Sequence, residues 1–200
     1  MFVDFLIQTF FASIFFLGIA GVGSIIIRIL NFKTKNFFLY LAITFFTSLC
    51  LYIILAVPFL TYFPSKLLTL QIFSVIYFLA SFSILVYSCF KFSYKQIANF
   101  FKKNWLVFLS AVFVLGVFFL QIYQTALFDE WLHRPVVKYF ITNQEFPFVN
   151  PYGANDNFNN RYHYGLYIPT VTIHIFTKLE IYEALDILKL SFAIASFFLV

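Results

Sequence analysis

The chain has 200 residues, 62% hydrophobic, 24% aromatic and 10% charged, with mean hydropathy +0.92 and a formal net charge of +5. Soluble domains carry roughly 45–50% apolar and about 25% charged residues, so a single water-facing core could not hide this much apolar surface. That excludes an ordinary soluble enzyme, and because the basic residues flank apolar runs, the positive charge reads as membrane topology rather than as nucleic-acid binding.

A membrane span needs roughly 20 apolar residues to cross about 30 Å of hydrocarbon. Four runs meet that length, at about 5–30, 37–60, 67–90 and 105–123, and two weaker ones follow at about 164–179 and 184–200. In lipid the backbone must satisfy its own hydrogen bonds, so each run is predicted to be a helix and the fold an all-α polytopic transmembrane bundle. Runs this long are incompatible with the ten-residue alternation of a transmembrane β-barrel. The first run carries Asp4 and has neither a basic leader nor a small-residue cleavage site, so it reads as a retained span. Cys50 and Cys89 both fall in apolar runs, where neither a disulfide nor a metal site is expected.

Lys and Arg set the orientation. With the N-terminus outside, the inner side holds Arg28, Lys33, Lys35, Lys91, Lys95, Lys102, Lys103, Lys178 and Lys189, against Lys66, Arg134, Lys138 and Arg161 outside. This excess divides the chain into four N-terminal spans over 1–123, an exterior loop over 124–165 and further spans over 166–200. Within the first part, Tyr94, Ile97, Phe101 and Trp105 recur at helical spacing among lysines. Residues 91–104 therefore read as a basic amphipathic helix on the cytoplasmic surface.

The exterior loop is where the composition turns polar. Asp129 and Glu130 stand where a span emerges and are followed by His133, with Leu132, Val136, Tyr139 and Phe140 at roughly helical spacing. A short helix along the outer interface is expected, with Pro135 in its first turn or marking a break. A turn-rich stretch then leads to Arg161, Tyr162, His163 and Tyr164, where the next apolar run begins. Taken singly, these residues have ordinary readings: Asp129 as a helix cap, Glu130 and Arg134 as a surface ion pair, the tyrosines as interface aromatics. Together they place carboxylates that can accept a proton or hold a divalent ion near an Arg and a His that can neutralise phosphate. Flanking aromatics can stack on sugar faces, and a site at this depth suits a substrate with a lipid tail and a phosphate head.

The pattern Asp129-Glu130-x-x-His133, then Glu145-Phe146-Pro147 and Asn150-Pro151, then Tyr162-His163-Tyr164-Gly165 leading into a span, resembles the GT-C superfamily. These multi-span glycosyltransferases use polyprenyl-phosphate sugars and include protein mannosyltransferase-like and related bacterial membrane families. The resemblance covers about 128–165 and implies that Asp129 is the base or metal-binding acid, with Glu130 beside it. It places Arg161 and His163 near the donor phosphate, and His133, Tyr162 and Tyr164 complete the implied substrate-binding set. A divalent metal, Mg or Mn, is the one cofactor implied; the partners are the lipid bilayer and the sugar-bearing lipid, with no nucleic acid. The implied location is a bacterial plasma membrane facing the cell envelope. A transporter or flippase of lipid-linked saccharides and a non-catalytic scaffold are the alternative classes.

The last two runs are the weakest. His174 lies inside one of them and reads as a packing histidine, with a proton relay as the alternative. If the run over 164–179 is re-entrant rather than crossing, the final run reverses its direction. That final run stops at Val200 without a polar flank, so a continuation into further spans is expected.

Overall fold

Long apolar runs have one way to satisfy their backbone in lipid, and the computed structural model is helical accordingly. It describes residues 2–32, 37–63, 65–89, 128–144 and 164–199, with short pieces at 102–106, 109–110, 113 and 116–117. The helices are α1 (Phe2–Ile29), α2 (Phe37–Tyr62), α3 (Lys66–Cys89), α4 (Phe128–Asn143), α5 (Tyr164–Thr177) and α6 (Ile181–Phe197), and no strand occurs among the described residues. Among the described residues, three helices are long and apolar enough to cross a membrane, over Leu6–Ile29, Phe38–Tyr62 and Lys66–Tyr87. The amphipathic segment expected over 91–104 and the span expected over 105–123 lie largely outside the described residues.

Large apolar side chains are exposed on these helices, as on a lipid-facing surface: Leu68, Ile72, Ile76, Leu79 and Phe82 line one side of α3. The inward sides set small and hydroxylated residues, Ala12, Ala20, Ala42, Ser48, Ser74 and Ser81 among them, between large apolar ones such as Phe16, Phe45 and Leu49. α1 packs against α2, α3 and α6. Two of its glycines let backbones meet: a Cβ on Gly21 would overlap the Ser81 carbonyl of α3, and one on Gly23 the Thr44 carbonyl of α2. Small residues at helix contacts are how membrane helices gain packing where lipid gives them no hydrophobic drive. Between these glycines and the turn before them, the Ile19 carbonyl accepts hydroxyls from both neighbours, Ser48 on α2 and Ser81 on α3. Ser81 Oγ also accepts the Val22 N–H at 3.1 Å, and Tyr77 donates to the Ser48 carbonyl at 2.6 Å.

A second hydroxyl junction ties in α5. The fully buried Tyr52 on α2 shares hydrogen bonds of 2.6 Å with Ser74 on α3 and with Thr172 on α5. Ser74 Oγ and Thr172 Oγ1 also lie within hydrogen-bond distance of the Leu70 and Ile168 carbonyls of their own helices, so three hydroxyl protons are shared among four contacts. α6 is fixed in turn to α1 and α2. Ser191 donates to the Ala12 carbonyl at 3.2 Å, Phe192 lies against Phe45 and Phe46, and Phe198 stacks on Phe38 at 4.7 Å.

Those contacts give α6 a direction. Phe192 meets the early part of α2 and Phe198 meets its start, so α6 runs antiparallel to α2 and in the same sense as α1. Two crossing helices in succession would have the opposite relation. The observed direction goes with the re-entrant alternative for 164–179, and α5 has only 14 residues, about 21 Å of helix.

Three helices stop without glycine. Asn31 at φ 53 closes α1, with Phe32 N–H on the Ile27 carbonyl and Asn31 N–H on Arg28. Gln144 (φ 56) and Lys178 (φ 59) close α4 and α5 in left-handed caps, their N–H groups returning to Phe140 and His174. α6 opens with Glu183 accepting the Glu180 N–H at 2.8 Å, the return half of a capping box.

Three substitutions follow from this packing. Gly21→Leu is expected to drive α1 away from α3 and cost at least about 1–3 kcal/mol, whereas Gly18→Ala meets only ordinary contact with Phe78 and should be tolerated. Thermal unfolding of both variants in detergent checks this; equal melting would contradict the close approach. Tyr52→Phe leaves Ser74 and Thr172 their helix carbonyls, so a loss of only about 1 kcal/mol is expected in the same assay.

Candidate functional site

α4 carries the acidic pair into the structure. Asp129 and Glu130 fall in its first turn and His133 in its second, positions where acids are favoured by the unpaired N–H groups of a helix start. Tyr164 is the first residue of α5. Arg161, Tyr162 and His163 lie outside the described residues, and so does the Asn-rich stretch before them.

What holds α4 in place is its buried side. Val136, Val137 and Phe140 are fully buried, and the helix packs on α5 and α6. Leu132 belongs to the helical period that predicted this element, and Val136 and Phe140 continue it inward. Tyr139 of the same period is 39% exposed, so the apolar face is narrower than its spacing implies. Pro135 neither starts nor ends the helix. It stands in the middle of α4 and withholds the N–H that residue 131 would otherwise accept.

The two ends of α4 touch different elements. At its C-terminal end, Thr142, Asn143 and Gln144 share an open cleft of about 570 Å³ with Tyr62, Phe63 and Lys66 of the α2–α3 turn. α4 therefore lies at the same end of the bundle as that turn. The cleft is not the site of the acidic pair, since Asp129 is about 20 Å away along the helix. Towards the N-terminal half, the Arg134 guanidinium stands 5.6 Å from the centroid of the Tyr182 ring at the head of α6, a cation–π arrangement.

Tyr182 opens a group of charges that the apolar-run reading passed over. Glu180, Glu183, Asp186 and Lys189 accompany it, and Lys189 Nζ lies 3.6 Å from Asp186 Oδ1. The charge of Glu183 next to it, then burial and Glu180, hold the Tyr182 phenol above its ordinary range, while Arg134 pulls the other way. The signal was present in the sequence as Tyr182, Asp186 and Lys189 at i, i+4 and i+7. Lys189 counted there only as an inner-side cation, and Asp186 was not singled out. His174 has a structural partner: its Nδ1 is 2.7 Å from the Leu179 carbonyl, so the ring helps close α5.

The described residues contain no group of three His, Cys, Asp or Glu side chains able to hold a metal. Comparison with known proteins returns no matching family model, no match among curated proteins and no match among solved structures.

The Arg134–Tyr182 contact is testable by a double-mutant cycle. Arg134→Ala and Tyr182→Leu should show a coupling of about 0.5–1 kcal/mol in thermal unfolding, because the pair is largely exposed. Strict additivity would remove the contact as the link between α4 and α6.

Proposed function

We propose that the protein is a membrane glycosyltransferase of the GT-C type, transferring a sugar from a polyprenyl-phosphate donor to an acceptor hydroxyl. The reaction takes place at the membrane face where α4 lies, read as the exterior face of a bacterial plasma membrane, with the N-terminus on that same side. Asp129 accepts the proton of the acceptor hydroxyl, whose oxygen bonds to the anomeric carbon of the donor sugar. The bond from that carbon to the phosphate oxygen breaks, and the phosphate leaves with the electron pair. Arg161 and His163 neutralise the leaving phosphate, Glu130 supports Asp129, and His133, Tyr162 and Tyr164 hold the substrate. A divalent ion on Asp129 would add phosphate neutralisation, but the proton transfer needs only the carboxylate.

The observation that supports this reading is the placement of α4. A helix whose first turn holds two carboxylates is anchored by Val136, Val137 and Phe140 on α5 and α6, at the end of the bundle shared with the α2–α3 turn. A polar helix start at the boundary of the apolar slab is where a lipid-borne phosphate would be presented.

A second reading, transport of lipid-linked saccharide, draws on Asp186 and Lys189, charges set within a mostly buried helix. Asp129→Asn separates the two. The enzyme reading expects sugar transfer in proteoliposomes to fall at least a hundredfold with unchanged expression and melting. Transfer that persists in the variant sinks the assignment of Asp129, and cargo movement that persists without any transfer favours the transporter.

A further inference from the structure

The C-terminal end of α4 and the α2–α3 turn face each other across the open cleft of about 570 Å³. α4 takes its packing from α5 and α6, and the cleft lies beyond that contact, on the side of the turn. Two spans set its depth. Tyr62 ends the apolar stretch Phe38–Tyr62 and Lys66 begins Lys66–Tyr87, so the cleft opens where hydrocarbon gives way to headgroups. Tyr62 and Phe63 are exposed at that level, where interface aromatics collect.

The lining selects a class of ligand. Among the described residues around the cleft, Lys66 is the one charged side chain, and no carboxylate stands with it. A single negative charge is therefore matched, while an ammonium group would find no anionic partner. The other polar lining is neutral: the hydroxyls of Thr61, Ser65 and Thr142 and the amides of Asn143 and Gln144. Thr61 Oγ1 donates to the Val57 carbonyl at 2.8 Å, which leaves it lone pairs for a ligand. Asn143 Nδ2 lies 3.1 Å from the Tyr139 carbonyl, a bond that uses one amide hydrogen and leaves the second and the side-chain oxygen. Mixed donors and acceptors of this kind suit a ligand that carries hydroxyls. The volume falls in the range of about 300–1,000 Å³ typical of small-molecule sites, far more than one phosphate ion fills. Apolar surface also leads away from the cleft into the slab, since Phe63 stacks on Phe59 at 5.8 Å and both rings are exposed. A soluble phosphate ester has no use for that surface; a lipid does.

We propose that this cleft binds the phosphoglycerol headgroup of an anionic phospholipid. The phosphodiester, which carries one negative charge, lies on the Lys66 ammonium, and the terminal diol lies on the amides of Asn143 and Gln144. The acyl chains pass along Phe63 and Phe59 into the hydrocarbon. A lipid held in this way ties the C-terminal end of α4 to the α2–α3 turn, about 20 Å along the helix from Asp129. The site is thus separate from the acidic pair, and it stands whether or not the protein transfers sugar.

Hydrogen exchange of the full chain in nanodiscs tests the site. The first amides of α3 have no partner within the helix and so report a ligand directly. In discs of phosphatidylcholine doped with phosphatidylglycerol, exchange over 65–69 and 141–144 is expected to slow at least fivefold relative to phosphatidylcholine alone. Phosphatidylmethanol, which has the same charge without the diol, is expected to give less than half of that slowing. Lys66→Gln is expected to abolish it, and the turn over 178–183 to be unaffected throughout. Equal exchange in the two natural lipids would overturn the site in the wild-type chain, however Lys66→Gln folds. Slowing that persists in Lys66→Gln, or that extends equally to 178–183, would show a general effect of surface charge and overturn it too. Slowing reproduced by millimolar glycerol phosphate in phosphatidylcholine discs would overturn the lipid as ligand, and an equal effect of phosphatidylmethanol would overturn the role of the diol alone.

Discussion

The turn of α1 from Ile19 to Gly23 is where three helices meet at backbone distance, and the rest of the bundle is arranged around it. Gly21 admits α3 and Gly23 admits α2, on roughly opposite sides of the same helix. The Ile19 carbonyl between them takes hydroxyls from both neighbours. In water such contacts would compete with solvent. In hydrocarbon there is no competitor, and small residues with hydroxyl pairs become the means by which apolar helices choose partners. Once α1, α2 and α3 are fixed, Tyr52 presents its hydroxyl to Thr172 and Ala12 presents its carbonyl to Ser191. α5 and α6 are thereby placed, and α4 rests on both.

The class of the protein was legible from composition, because no water-soluble fold accommodates so few charges among so many apolar residues. The first three spans were legible for the same reason, and their expected limits agree with the helices within a few residues. α4 was legible from the period of Leu132, Val136 and Phe140, though not its continuity through Pro135, since a proline in mid-helix costs one hydrogen bond without forbidding the turn. The helix ends were harder. Asn31, Gln144 and Lys178 adopt the left-handed cap that glycine usually supplies, and nothing in their side chains announces it.

The direction of α6 was beyond hydropathy altogether. Two apolar runs in succession read as two crossings unless something shows that one of them turns back, and the evidence for that lies in long-range contacts such as Phe198 on Phe38. The charged face of α6 was visible in principle, since Tyr182, Asp186 and Lys189 have helical spacing. Reading lysines only for topology obscured it: a lysine counted towards one side of the membrane is no longer asked what it faces. Of the acidic motif, the sequence offered residues and spacing, and the fold adds the seat of the helix that bears them. The roles of Arg161, Tyr162 and His163 rest on the motif.

The geometry brings the start of α6, the polar helix α4 and the α2–α3 turn to one end of the bundle, and the functional reading depends on that arrangement. Side-specific labelling in sealed, uniformly oriented vesicles measures it directly, using single Ser65→Cys, Asn31→Cys and Glu180→Cys variants in a background lacking the native cysteines. The account predicts that Ser65→Cys and Glu180→Cys react from the same side and Asn31→Cys from the other. Glu180→Cys reacting together with Asn31→Cys would mean that α5 crosses fully, and would contradict the account at its centre.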